Sequence, residues 1–293
     1  MTRLAGKRRG TPDDASVTAH VALYKELHVN GLRKGTRRYV ERELDTLADA
    51  LGNRPIASIT KSDLLALQDR AARRGDGAKL SFTKVAKAFF RWATDDRDAI
   101  TANPAASLKR PKMQKRKRFL TDDELRAVWL AADKAGGPYG ALTKLLLLTG
   151  ARRAEIAELQ RRELNGAAIN LPAERTKTAE PHEIYLTDAM RAVLAGLPTT
   201  GRFVLTGGDH PINGGQRARD AIETPDLAHW TLHDLRRSFS TGCARIGVQP
   251  FLIELMLNHQ FEGEAGTYNK HKYAKEMAAA WQKWSAHVTA IVK

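Results

Sequence analysis

Apolar side chains recur at intervals of three and four along most of this chain, the helical period, and the stretches that lose the rhythm divide it. The pattern over residues 16–51 predicts a first helical segment. The stretch "LGNRPIASIT" then breaks it with glycine and proline, and Thr60-x-x-Asp63 caps the helix that follows, "DLLALQDRAARRG". In "KLSFTKVAKAFFRWATDD", Phe82, Val85, Phe89 and Trp92 fall on one helical face. These elements predict a small helical domain over 12–106. Residues 107–119, "SLKRPKMQKRKRF", show no apolar period at all and read as a linker.

Beyond the linker the rhythm resumes. Thr121-x-x-Glu124 is a capping box opening "DDELRAVWLAADKAG", and the nearly continuous apolar run "YGALTKLLLLTG" predicts the central helix of a second core. "RELNGAAINLPAERTKTAEPHEIYLT" alternates instead, with a turn at Asn165-Gly166 and short strands on its flanks. Helices return in "LHDLRRSFSTGCARIG", in "PFLIELMLNH" and in the tail from Tyr268 onward. Met277, Trp281, Trp284, Val288 and Ile291 make an apolar seam in that tail, suited either to its own domain or to a neighbouring protomer. The fold class is therefore mainly α: an N-terminal helical domain, then a mostly α domain over 120–293 with a small antiparallel β-sheet.

Charge narrows the function. A chain of 293 residues with 48 Lys plus Arg against 33 Asp plus Glu carries a net charge of +15, a field that draws polyanions, nucleic acid foremost. The linker concentrates this charge in Lys109, Arg110, Lys112, Lys115, Arg116, Lys117 and Arg118, without one acid among them. Such a run can lie along a phosphate backbone. The single cysteine, Cys243, excludes an internal disulfide and suits a reducing cytoplasm. No apolar run reaches the length of a membrane span, so the expectation is a soluble cytoplasmic protein that makes no membrane contact.

Four short stretches carry candidate chemistry. In "TGARRAEIAEL", Gly150 ends the apolar helix, and Arg152 and Glu155 share a face where their pairing would hold the guanidinium in place. In "TLHDLRRSFSTG", Thr231-x-x-Asp234 caps a helix that sets His233 and Arg236 one turn apart on one face. Guanidinium repels a cation, so histidine with arginine suits a phosphate better than a metal. Asn258 is a candidate left-handed cap that turns His259 out of its helix end. Lys177, in "RTKTAEPHEI", lies at the mouth of a second hairpin. Each feature alone also fits a surface ion pair, a structural histidine or a solvated lysine.

In this order, the elements "TGARRAE", "RTKT", "HDLRRSF", "LNHQ" and "TYNKHKY" resemble the tyrosine recombinases, the phage-integrase family. The first domain is similar to the family's core-binding module, with a SAM-like fold, and "YNKHKYAKEMAAAWQKW" is most similar to the ends of prophage and genomic-island integrases. The resemblance implies catalytic roles for Arg152, Lys177, His233, Arg236, His259 and Tyr268, with Glu155 in support. It also implies double-stranded DNA carrying attachment or core sites as partner, a monomer in solution that becomes a homotetramer on synapsed DNA, and accessory DNA-bending proteins. Tyr268 would attack a phosphodiester to give a 3′-phosphotyrosyl link, and the strand exchange that follows would integrate or excise a mobile element without ATP, metal or other cofactor.

Two tyrosines stand near that position. Tyr268 and Tyr273, five apart, would point about 140° apart on a continuous helix. The step from His259 selects Tyr268, with Gly263 and Gly266 giving it freedom to move. Arg153 and Asn258 stand where the family more usually has an apolar residue and a glycine. About 15 residues precede the first helix, which reads as a recombinase needing only core sites or as a shortened form of one with an arm-binding domain. Other readings of the same residues are a type IB topoisomerase-like nicking and closing enzyme, a catalytically silent DNA-binding regulator, and a metal hydrolase built on His233, Asp234, His259 and His271.

Overall fold

The computed structural model describes residues 15–114, 116–259 and 273–293. The chain divides into two compact units, Met1–Lys115 and Arg116–Lys293, each with its own apolar core. Among the described residues no helix is long and apolar enough to cross a membrane.

The first unit is built from α1 (Val17–Tyr24), α2 (Lys34–Leu51), α3 (Lys61–Ala72) and α4 (Asp76–Asp95). The single helical segment expected over 16–51 is two helices. A π-helical turn at Lys25–Val29 ends α1, and the chain reverses after Asn30 before α2 begins. The reason lies in the core. A straight helix over this span would be roughly 50 Å long, whereas Val17 and Leu51 are both buried in one cluster. The amide of Val17 donates to the Arg54 carbonyl and that of Thr18 to the Gly52 carbonyl, so the start of α1 is bonded to the end of α2.

The capping box on α3 forms as expected, with Asp63 accepting from the Thr60 amide at 2.8 Å. Phe82, Val85, Phe89 and Trp92 of α4 are all buried. Glu43 of α2 has no solvent exposure, and two arginines compensate its charge. Arg42 reaches it at 2.6 Å and Arg74 at 3.4 Å.

The second unit begins with α5 (Asp122–Ala135), capped reciprocally by Thr121 and Glu124, and α6 (Gly137–Thr149). After α7 (Arg153–Ala157) come β1 (Ala168–Leu171) and β2 (His182–Tyr185), an antiparallel pair with Ala168 opposite Tyr185 and Leu171 opposite His182. Asn165-Gly166 does turn the chain, but it closes only a single bridge between Leu164 and Ile169. The residues before it form a 3₁₀ turn at Arg161–Glu163. The two strands are joined instead by the loop 172–181.

Helices α8 (Asp188–Ala195), α9 (Gln216–Asp220), α10 (Leu232–Arg245), α11 (Pro250–Met256) and α12 (Ala274–Val292) complete the unit. Leu145, Leu146 and Leu148 of α6 share a core with Leu235, Phe239 and Cys243 of α10 and with Trp281, Trp284 and Val288 of α12. The apolar seam of the tail thus packs against its own unit. Gly242 makes room for it, since a Cβ there would sit 2.3 Å from the Trp284 ring.

Candidate active site

Two helix ends build this site. The first is the C-terminus of α6, whose last carbonyls have no partner within the helix. The indole N–H groups of Trp284 and Trp281 donate to the carbonyls of Leu147 and Thr149, at 2.9 and 3.1 Å. Gly150 then turns the chain with φ +67°. No other residue fits there, because a Cβ would meet the Phe239 ring at 2.4 Å as well. Two residues on, Arg152 is the N-cap of α7. Glu155, 2 % exposed, accepts from the Arg152 amide at 2.8 Å and from its guanidinium at 3.0 Å.

The second is the C-terminus of α11. Asn258 adopts φ +49°, the left-handed turn expected of it, and the His259 amide returns to the Glu254 carbonyl. The Leu255 carbonyl takes the Asn258 amide, and the three carbonyls after it are taken by side chains from elsewhere in the unit. His182 of β2 donates to Met256, Arg236 of α10 to Leu257, and Arg152 to Asn258, at 3.0, 2.6 and 3.2 Å. The negative end of a helix thereby seats two guanidinium groups on adjacent carbonyls.

Among the described residues Arg236 has three hydrogen-bond partners, and none carries a formal negative charge. They are the carbonyls of Gly150 (2.7 Å) and Leu257, and Nε2 of His259 (2.9 Å). With 6 % exposure and Arg152 nearby, its pKa is pushed down to about 10, chiefly by burial. His233, on the same helix, presents an exposed edge. Desolvation, followed by the charges of Arg237 and Arg236, holds its imidazole below the usual histidine value. Neutral imidazole accepts a proton.

Asp234, which the metal-hydrolase reading would use, is buried. It accepts from the Thr231 amide and hydroxyl and pairs with Arg237 and Arg116. His182 was not singled out from sequence. Its Nε2–H bond to Met256 leaves Nδ1 buried with no hydrogen-bond partner among the described residues, and burial together with the charge of Arg236 pushes its pKa down to about 4.

Lys177 lies on the loop 172–181, exposed. Two neighbours shape that loop. The Arg175 guanidinium donates to the backbone carbonyls of Glu155 and Glu158 and to the Glu163 carboxylate, and the buried Thr176 hydroxyl closes the loop onto the Glu180 carbonyl. The Asn258 side chain reaches the same Glu180 carbonyl at 3.3 Å. Arg175 was legible only as part of "RTKT".

In the basic run, Arg116 and Arg118 both donate to the His229 carbonyl, and Arg118 also pairs with Glu124. Lys109, Arg110, Lys112 and Lys117 are exposed. Lys115, Gly263, Gly266, Tyr268 and His271 lie outside the described residues. Tyr273 has φ +49° and precedes the first residue of α12, packing edge-on against Phe251 with 5.1 Å between ring centres. It packs against the core of the second unit. Helix α12 begins directly after it, and the helical phase expected between Tyr268 and Tyr273 falls on residues outside the described ones.

Arg152, Arg236 and His259 thus converge on one helix end, with His233 one turn from Arg236. Such a cluster holds cationic donors ready for an oxyanion and a neutral imidazole beside them.

Residues 118–275 match the phage integrase family, over more than half of the chain. No curated protein sequence matches the chain. Among solved structures, a lambda integrase dimer bound to a COC′ core site is similar at 19 % identity and a TM-score of 0.68, covering 84 % of this chain and 96 % of the other. A lambda integrase tetramer bound to a Holliday junction gives 20 % and 0.68, over 85 % and 79 % of the two chains. The Tn1549 transposon integrase in complex with circular-intermediate DNA gives 18 % and 0.59, over 90 % and 98 %. The fold is shared with these proteins, and on the family match across residues 118–275 the chain belongs to the phage integrase family of tyrosine-type site-specific recombinases.

Proposed function

We propose that this recombinase cleaves and rejoins duplex DNA through a 3′-phosphotyrosyl intermediate with Tyr268 as nucleophile, and so integrates or excises a mobile element. The observation that carries the reading is the buried Arg236 guanidinium, whose partners among the described residues are two carbonyls and an imidazole. A structural arginine at such a depth is paired with a carboxylate, whereas one with uncharged partners keeps its charge for a ligand. Attack on a phosphodiester raises the negative charge on the non-bridging oxygens. Arg236 and Arg152 stabilise that charge from fixed positions, which removes the need for a metal ion.

A tyrosine of pKa about 10 needs a neighbour to take its proton as it attacks. His233, held neutral by desolvation and by the cations around it, fills that role. The departing 5′-oxygen takes a proton from Lys177, and the phosphotyrosyl bond conserves the energy of the broken one. Reversal by a 5′-hydroxyl of a second duplex gives strand exchange. Four protomers on two synapsed duplexes are then required, assembled from monomers with help from DNA-bending proteins. The exposed lysines of the linker follow the phosphate backbone, and the first unit grips the core site.

The test is incubation with nicked duplexes carrying candidate attachment sites, with and without EDTA. The wild-type chain should form a covalent protein–DNA adduct in both, Tyr268→Phe none, and Tyr273→Phe the wild-type amount. Adduct formation by Tyr268→Phe would overturn the assignment of the nucleophile.

A further inference from the structure

His259 stands between two partners of opposite character. Its Nδ1 is 2.5 Å from the Glu254 carboxylate and its Nε2 is 2.9 Å from Nη2 of Arg236. Arginine can only donate and carboxylate can only accept. Both contacts are therefore satisfied by a single arrangement, the neutral imidazole with its proton on Nδ1 and its lone pair on Nε2.

We infer that Glu254 is a positioning residue for the reaction, acting through His259 to fix the rotation of the Arg236 guanidinium. Nη2 of Arg236 has two protons, and the Leu257 carbonyl and His259 Nε2 take both. Among the described residues the Nε proton and the second proton of Nη1 have no partner, and they are the donors that would face an oxyanion. Without the carboxylate, His259 is released to its other tautomer, which sets Nε2–H against Nη2–H, donor against donor. The guanidinium then loses one of the three contacts that orient it. Glu254 sits five residues before His259, on the last full turn of α11, where its backbone carbonyl also receives the His259 amide. One residue thus holds both the backbone and the ring of His259.

The proposal rests on the recombinase reading for its consequence and on geometry alone for its premise, and two measurements separate them. Long-range ¹H–¹⁵N spectra of the full chain, with His259→Asn supplying the assignment, should show His259 as the Nδ1–H tautomer. Glu254→Ala should lose that signature, and Glu254→Gln, which keeps an acceptor oxygen, should retain it. An Nε2–H tautomer in the wild type, or an unchanged spectrum in Glu254→Ala, would overturn the proposal whether or not the protein cuts DNA.

Single-turnover cleavage of nicked duplexes should then fall by about tenfold or more in Glu254→Ala, as when the orienting partner of a working histidine is removed elsewhere. DNA affinity should be unchanged, and Glu254→Gln should recover most of the rate. Wild-type cleavage by Glu254→Ala would sink the positioning role. Absence of any adduct from the wild-type chain would instead count against the recombinase reading and leave the tautomer result standing.

Discussion

Both units bury charged side chains, and two of these, Glu43 in the first and Arg236 in the second, are treated in opposite ways. In the first, Glu43 has no solvent exposure and two arginines neutralise it. In the second, Arg236 is 6 % exposed, yet its bonds among the described residues go to two carbonyls and an imidazole. Taking a charge out of water costs several kcal/mol unless a counter-charge offsets it. Glu43 is bonded directly to its counter-charges, whereas Arg236 feels Glu155 and Glu254 only at a distance, which leaves a residual cost that an incoming anion would relieve.

The sharpest way to break this contrast is Arg236→Lys. Lysine keeps the charge but cannot span Gly150, Leu257 and His259 with one ammonium. Cleavage should fall by about 10²–10³, the effect of losing an oxyanion donor, while circular dichroism and the melting temperature stay close to wild type. A variant that cleaves normally would show that the fork geometry is irrelevant.

Next in size is the double change Arg42→Ala with Arg74→Ala, which leaves Glu43 buried alone. Both arginines are about half exposed, which discounts the usual cost of breaking a buried pair, so a loss of about 2–3 kcal/mol is expected in urea denaturation. Cleavage by the remaining folded protein should be unaffected. Equal stability of variant and wild type would erase the distinction between the two charges.

The smallest effect per step concerns His182, the neutral group in the same row of carbonyl partners as Arg236. Its folded pKa of about 4 lies below the unfolded histidine value of about 6.5. The unfolded chain therefore binds the proton more readily. The stability that His182 contributes is intact above pH 6.5 and lost as pH falls from there toward 4, by about 1.4 kcal/mol per pH unit. His182→Gln keeps a donor for Met256 and should flatten that part of the curve. An unchanged slope would assign the pH dependence to other groups.

How much of this was legible depended on whether side chains or backbone carried the signal. The capping boxes at Thr60, Thr121 and Thr231 are written in side chains three residues apart, and all three form. The buried face of α4 and the pairing of Arg152 with Glu155 were legible for the same reason. The reversal between α1 and α2 was not read from the periodicity, although Asn30-Gly31 marks it, because both helices carry the same apolar rhythm. The hairpin around Lys177 pairs as expected, whereas Asn165-Gly166 closes only a single bridge, since a turn signal names the bend and not the length of the pairing. His182 and Arg175 were missed because each bonds main-chain carbonyls from elements far along the chain.

The three carbonyls at the end of α11 carry a consequence for how this site tolerates change. A cradle made of main-chain oxygen is indifferent to the side chains attached to it. Met256 and Leu257 answer only to the core beneath them, and Arg236 and His182 would find the same oxygens under other apolar residues of similar size. What is not free is the left-handed turn at residue 258, which aims the last oxygen at Arg152. Asparagine sustains that turn and so would glycine, whereas a β-branched residue would not. In drift among related chains, the shape of this bend, more than the letters that spell it, is the quantity under constraint.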